Sequence, residues 1–181
     1  PHFLVQYLQK TILSHDFFFE NPKEFYKFYK EKLLYPDAKP NKAHMALAKL
    51  EKEGKLSAVI TQNIDCLHEQ AGSKNVLKLH GSVDKNICLK CYKRYGLDTV
   101  LNAACVPYCD CGEVIKPEVV LYGESLNTDT LQKAVHYIAN ADMLIVGGTS
   151  LVVYPAAGLI DYYRGDKLVL INKSATSADK R

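Results

Sequence analysis

The 181-residue chain is 48% hydrophobic, enough for one main core plus a small appended module and too little for two full domains. Its formal net charge of +3, from 23 basic and 20 acidic residues spread along the chain, lacks the basic stripe that a nucleic-acid partner would need. No run approaches the roughly 18 apolar residues of a membrane span and no charged-then-apolar leader opens the sequence, so no membrane partner and a cytoplasmic location are expected.

In chain order, residues 21–34 place Phe25, Phe28, Tyr29 and Leu33 at helical spacing, with Asn21 as N-cap and Pro22 at the first helical position. Pro36 and Pro40 break that pattern. Asn41 starts a second helix in which His44, Leu47, Ala48 and Leu50 share one side until Gly54 ends it. His44 reads as a surface or boundary histidine. Residues 56–61 form a short β-branched run that predicts a strand buried on both faces, followed by Gln62-Asn63-Ile64-Asp65. A second run, Val76 to Leu79, leads into His80-Gly81-Ser82, and a third, Met143 to Val146, into Gly147-Gly148-Thr149-Ser150. A helix over 155–163 and a buried strand over 167–171, ending at Asn172, complete a βαβ unit. Polar or glycine-rich residues at three successive strand ends are what a cofactor crevice in an open α/β sheet requires.

Between the second and third strands, residues 85–116 lack regular hydrophobic periodicity and carry five of the six cysteines. Cys88-Leu-Lys-Cys91 and Cys109-Asp-Cys111-Gly, seventeen residues apart, suit two knuckles closing on one Zn²⁺. Four thiolates fill the shell and leave no open position, so the metal is assigned to structure, where it supplies folding energy to a segment poor in apolar residues. The second knuckle has one residue between its cysteines where two are usual. Cys105 is therefore an alternative ligand, although Gly112 favours the pair Cys109 and Cys111. Cys66 reads as an inert small core residue.

On chemistry alone, His80 at a glycine-flanked strand end suits a general base, since a neutral imidazole accepts a proton near physiological pH. Asn63 and Asp65 suit either a turn or a polar ligand. Thr149 and Ser150, beside the backbone N–H groups of Gly147 and Gly148, suit ribose or phosphate oxygens.

Taken together, Thr61-Gln62-Asn63-Ile64-Asp65, Leu67-His68 and Leu79-His80-Gly81-Ser82 resemble the sirtuin signature in order and spacing. Pro117 to Glu124 resembles that family's substrate-binding segment, Gly148-Thr149-Ser150-Leu151 with Pro155-Ala156-Ala157 its cofactor loop, and Ile171-Asn172 the segment that approaches the adenosine. The resemblance runs from about Ser14 to the end, and the stretch up to about Leu13 fits it poorly. It implies an α/β fold: a Rossmann-like parallel sheet with helices on both faces over residues 1–84 and 117–181, and a zinc-ribbon module over 85–116. It also implies an NAD-dependent protein-lysine deacylase with acylated-lysine proteins as partners.

In that mechanism the acyl-lysine carbonyl oxygen attacks the anomeric carbon of the nicotinamide ribose and nicotinamide leaves. His80 then acts as base so that the 2′ oxygen attacks the resulting alkylamidate, and water completes the transfer to give deacylated lysine and O-acyl-ADP-ribose. By resemblance Gln62, Asn63, Ile64, Asp65, Gly148, Thr149, Ser150, Asn172 and Lys173 bind NAD, and zinc takes no part in the chemistry. Val119, Val120, Tyr122 and Gly123 bind the substrate, the run from Glu118 to Tyr122 offering an edge for strand addition. Tyr122 stands where phenylalanine is usual, which adds a hydroxyl needing a partner or water. ADP-ribosyl transfer and an inactive fragment that docks acyl-lysine peptides or another partner stay open as alternatives. The family pattern also expects a strand with a Gly-Ala-Gly loop ahead of Pro1 and a last strand and helix after Arg181.

Overall fold

Aromatic residues at helical spacing build the first core. In the computed structural model, which describes residues 10–176 and Asp179, the Ser14 hydroxyl accepts the Phe17 N–H at 3.2 Å and caps α1 (His15–Glu20). Helix α2 (Pro22–Lys32) follows with Asn21 as N-cap and Pro22 in its first turn, as the sequence predicts. Its Phe25, Tyr26 and Tyr29 are fully buried against Phe18. Phe25 meets Phe18 edge-on at 4.9 Å and stacks on Tyr29 at 5.5 Å, geometries that suit the ring quadrupoles. Each such side chain contributes about 1.5–3 kcal/mol by leaving water.

Helix α3 (Lys42–Lys52) starts on a capping box: Asn41 Oδ1 accepts the N–H groups of Ala43 and His44, and His44 Nδ1 accepts the Asn41 N–H at 3.2 Å. The bland role expected of His44 is thus a cap. Strand β1 (Val59–Thr61) pairs in parallel with β2 (Val76–Lys78), Val59 opposite Val76, across the short helix α4 (Leu67–Gln70).

Strand β3 (Gly81–Cys88) then turns away into an antiparallel sheet of order β4-β3-β5, with β4 at Arg94–Tyr95 and β5 at Ile115–Val119. Helix α5 (Leu97–Asn102) lies between β4 and β5 in the chain and buries Val100. A register irregularity separates the Gly81↔Val119 pair from Asn86↔Pro117, with Asn86 fully buried. Both β3 and β5 cross the positions 84/85 and 116/117, so one ladder runs from the expected cofactor-binding part into the cysteine region.

Helix α6 (Thr128–Ala139), capped by Asn127, leads to β6 (Leu144–Gly147), a 3-10 helix (Ala156–Tyr162) and β7 (Leu168–Ile171), which pairs in parallel with β6. Leu79, Ala134, Ile138, Ala156 and Leu159 form a second core on which Ile60, Leu77 and Leu144 rest. One apolar layer therefore underlies both parallel pairs.

Two expectations need correction. The strand expected to be buried over 167–171, β7, is open on one face, as is its partner β6: Ile171 is 62% and Ile145 48% exposed. Side chains alternate across a strand, and only the Leu144 face meets the helical layer among the described residues. Cys66 is not core: its half-buried sulfur accepts from Lys78 Nζ at 3.2 Å and lies 3.5 Å from Ser82 Oγ. The described residues contain no helix long and apolar enough to cross a membrane. Of the part expected at 1–84, residues 1–9 lie outside the described residues, as do Lys180 and Arg181.

Candidate active site and metal centre

The site is assembled where β2 hands over to β3. Leu79 extends the parallel ladder by donating its N–H to the Thr61 carbonyl at 2.9 Å, which places His80 beside the residue after β1. Gly81 then has φ +76°, and a Cβ there would lie 1.9 Å from the Glu118 carbonyl oxygen. Only glycine lets β5 approach this closely while the chain reverses. The Val120 N–H donates to the His80 carbonyl at 2.9 Å, fixing the histidine against the expected substrate segment.

His80 Nδ1 lies 3.0 Å from the Gln62 carbonyl oxygen. A carbonyl only accepts, so Nδ1 is the N–H, and in the neutral ring Nε2 carries the lone pair. A cleft of about 260 Å³ is lined by His80, Ile64, Val119, Val120, Tyr122 and Gly123, six of the residues expected for the site, with further apolar walls from Leu33 and Val153. Tyr122 is 45% exposed, so water reaches its ring.

The edge expected over residues 118–122 is largely used within the chain. The N–H groups of Val120, Leu121 and Tyr122 donate to the His80 carbonyl, a Glu124 carboxylate oxygen and the Leu13 carbonyl. Strand addition along this run is left to its other backbone groups.

The remaining polar candidates gather at the ends of β1, β6 and β7. Gln62 Nε2 donates to Thr149 Oγ1 at 3.3 Å, and Asn172 Nδ2 donates to the Thr149 carbonyl at 2.9 Å. Two amides and a hydroxyl thus converge from three strand ends, a donor and acceptor set that fits ribose hydroxyls and a carboxamide. Gly148 has φ +63° with open space where a Cβ would stand, so its backbone is approachable. Asn63, Ser150 and Lys173 are exposed on the same loops. Asp65 Oδ1 accepts the Leu67 N–H at 3.0 Å, and the buried Thr61 hydroxyl accepts the Asn63 N–H at 3.0 Å, so both motif residues are held by turns. His68 Nδ1 is buried without a hydrogen-bond partner among the described residues. Burial, then the neighbouring His44 ring at 4.7 Å, holds its pKa below the usual histidine value.

At the far end of β3 the structure brings together the sulfurs of Cys88, Cys91, Cys109 and Cys111, all within 4.8 Å of one another, and leaves Cys105 outside the cluster. The second knuckle closes with Gly112 at φ +84° and its N–H on the Cys109 carbonyl at 2.8 Å. Cys88 and Cys111 sulfurs are 3.4 Å apart and those of Cys91 and Cys109 3.5 Å. These separations exceed the ~2.05 Å of a disulfide and approach the ~3.8 Å edge of a tetrahedron with Zn–S near 2.3 Å, so the donor set fits zinc. The Cys111 N–H and then the Tyr95 hydroxyl, 2.9 Å away, pull the Cys109 thiol down to about 6, while Cys111, despite the Glu113 N–H, is held up by the Cys88 sulfur.

Motif reasoning gave no role to four contributors. Thr61, whose hydroxyl pins the Asn63 turn, had the signal of a polar residue closing a buried strand. Leu13, Leu33 and Val153 line the cleft from separate parts of the chain and carry no local signal.

The comparisons with known proteins agree with this geometry. The family model described as Sir2 family matches residues 5–155, so the stretch before Ser14, expected to fit poorly, belongs to the match from residue 5 onward. An NAD-dependent protein deacetylase of Clostridium tetani is 60% identical over 177 residues, which span 97% of this chain and 72% of that protein. One from Thermotoga maritima is 45% identical over 187 residues, covering 99% and 76%. Among solved structures, Sir2 with a p53 peptide and NAD+ superimposes with a TM-score of 0.87 at 46% identity, covering 94% of this chain and 74% of that one. Sir2 bound to a propionylated peptide gives a TM-score of 0.87 at 45% identity, covering 95% and 76%. A family match over most of the chain, relatives this similar and a shared backbone lead to one conclusion: the chain belongs to the Sir2 family.

Proposed function

We propose that this protein is an NAD-dependent protein-lysine deacylase in which His80 is the general base. The observation that carries this is the Nδ1 contact with the Gln62 carbonyl, which leaves Nε2 as proton acceptor in a cleft walled by Val119, Val120, Tyr122 and Gly123. When bound, NAD supplies a ribosyl group whose nicotinamide can leave. Gln62, Asn63, Ile64 and Asp65 after β1, with Gly148, Thr149 and Ser150 after β6 and Asn172 and Lys173 after β7, hold and orient it. Orientation of this kind supplies a large share of the rate. His80 Nε2 takes the ribose proton, and the apolar walls of the cleft receive the acyl-lysine side chain.

The activity named for the similar bacterial proteins supports this reading, as do solved relatives with acetylated or propionylated peptides and with 2'-O-acetyl-ADP-ribose. Acylated-lysine proteins are the substrates. Residues 1–84 and 117–181 form the cofactor-binding part and 85–116 a zinc module, held by Cys88, Cys91, Cys109 and Cys111 without a catalytic role. A thiolate site of this kind persists in a reducing compartment, which supports a cytoplasmic location.

The test is His80→Ala assayed with an Nε-acetyl-lysine peptide and NAD. Nicotinamide-coupled deacetylation should fall by about 10²–10⁴-fold, the usual contribution of a general base, with O-acetyl-ADP-ribose as the wild-type product. Turnover retained by the variant, or ADP-ribosylated protein as the product, rejects the assignment.

A further inference from the structure

One carboxylate beside the cleft has no role in the chemistry above. Glu124 Oε2 accepts the Leu121 N–H at 2.9 Å and lies 3.1 Å from Lys116 Nζ, while Oε1 lies 3.0 Å from His15 Nδ1 and 3.1 Å from the same ammonium. The Glu124 N–H returns to the Leu121 carbonyl at 2.9 Å, so the 121–124 turn is closed by main chain and side chain together. Its anchors come from elsewhere. Lys116 sits on β5 with its side chain 12% exposed, and its Nζ also reaches the Val119 carbonyl at 3.3 Å. His15 opens α1, and its backbone N–H donates to the Tyr122 carbonyl at 2.9 Å.

The start of α1, strand β5 and the cleft turn thus meet at one anion through charge-assisted bonds. A carboxylate accepts from all three donors. An amide of the same shape has one accepting oxygen, so its NH₂ would have to face the Lys116 ammonium or the Leu121 N–H. Losing the charge therefore loosens the turn that carries Tyr122 and Gly123, which keeps its backbone bonds to Leu13 and His15, without touching His80.

We propose that Glu124, held between Lys116 and His15, is a positioning residue that sets acyl-lysine affinity by fixing the Leu121 to Gly123 turn at the cleft. The proposal rests on the deacylase function above and concerns substrate binding, not the chemical step. The experiment combines calorimetric titration of an Nε-acetyl-lysine peptide with steady-state kinetics. Glu124→Gln should raise the peptide Kd and KM about 10-fold and leave kcat at saturating peptide and the KM for NAD within about 2-fold, the pattern of lost uniform binding. Lys116→Met should behave like Glu124→Gln, and Lys116→Arg should restore wild-type affinity.

A fall in kcat at unchanged peptide KM overturns the proposal, as does a folded Lys116→Met with wild-type affinity. Should Glu124→Gln fail to fold, the exposed His15→Asn decides: peptide weakened about 2–3-fold supports the proposal and unchanged affinity overturns it. Wild-type protein that binds no acetylated peptide rejects the deacylase function itself. Intact wild-type binding with an indifferent Glu124→Gln rejects this inference alone.

Discussion

The two ends of β3 are held by different physics. Near Gly81 the strand enters an aromatic and aliphatic core, with Val83, Val119 and Leu121 packed against Phe18, Phe25 and Tyr26. Seven residues on, at Cys88, the buried cluster shrinks to Cys88, Cys109 and Ile115, with Tyr95 leaning on it. The first end is stabilised by apolar area removed from water, the second by what four sulfurs can bind. A single antiparallel ladder spans both, so His80, proposed above as the base, directly precedes the packed end and the cysteine cluster lies at the other.

Metal removal breaks this comparison most strongly. Structural zinc in small modules contributes on the order of 10–16 kcal/mol. Chelation, or Cys88→Ser, should abolish zinc content and strip hydrogen-exchange protection from residues 88–115 while α2 stays protected. Cys105→Ser should change neither; loss of zinc in that variant would move the ligand assignment.

Next in size is Gly81→Ala. Left-handed backbone strain of about 1–2 kcal/mol adds to the clash with the Glu118 carbonyl, so urea unfolding should show a loss beyond strain alone. Stability within error of wild type would mean that β3 and β5 can separate at the site.

Tyr26→Phe addresses the link between the two regions, because this buried hydroxyl donates to the Ile115 carbonyl beside the cysteine cluster. Leaving that carbonyl unpaired should cost about 1–3 kcal/mol. Zinc content should be unaffected, since no sulfur loses a contact.

The smallest effect is on the acid limb of stability. Burial raises the Glu124 pKa, but the Leu121 N–H, His15 and Lys116 outweigh it and hold the group below the usual carboxylate range. Its contribution is therefore complete above the ordinary value of about 4.3 and is lost as pH falls through the lowered one. Glu124→Gln should flatten the decline of stability below about pH 4.3, and an unchanged slope would show that other carboxylates set it.

Much of the site was legible in local sequence. His80-Gly81, the run Gln62 to Asp65 and the four knuckle cysteines lie where strand ends and paired cysteines predict, because turn, strand-end and ligand chemistry are properties of a few adjacent residues. The open face of β6 and β7 was not legible: a run such as Leu144 to Val146 looks the same whether one face or both are covered. Cys66 beside the Lys78 ammonium was hidden for a similar reason, since twelve residues of chain separate a pair that only folding brings to 3.2 Å.

The sequence by itself determined the family, the ligand types as thiolates, amides and an imidazole, and the helices that start at Asn21 and Asn41, since each depends on short-range chemistry. Tertiary structure alone decided that Cys105 stands outside the metal cluster, that His80 bonds the Gln62 carbonyl through Nδ1, and that Lys116 and His15 converge on Glu124. Those outcomes depend on distances between segments remote in the chain, and such distances are fixed only once the cores on either side have packed.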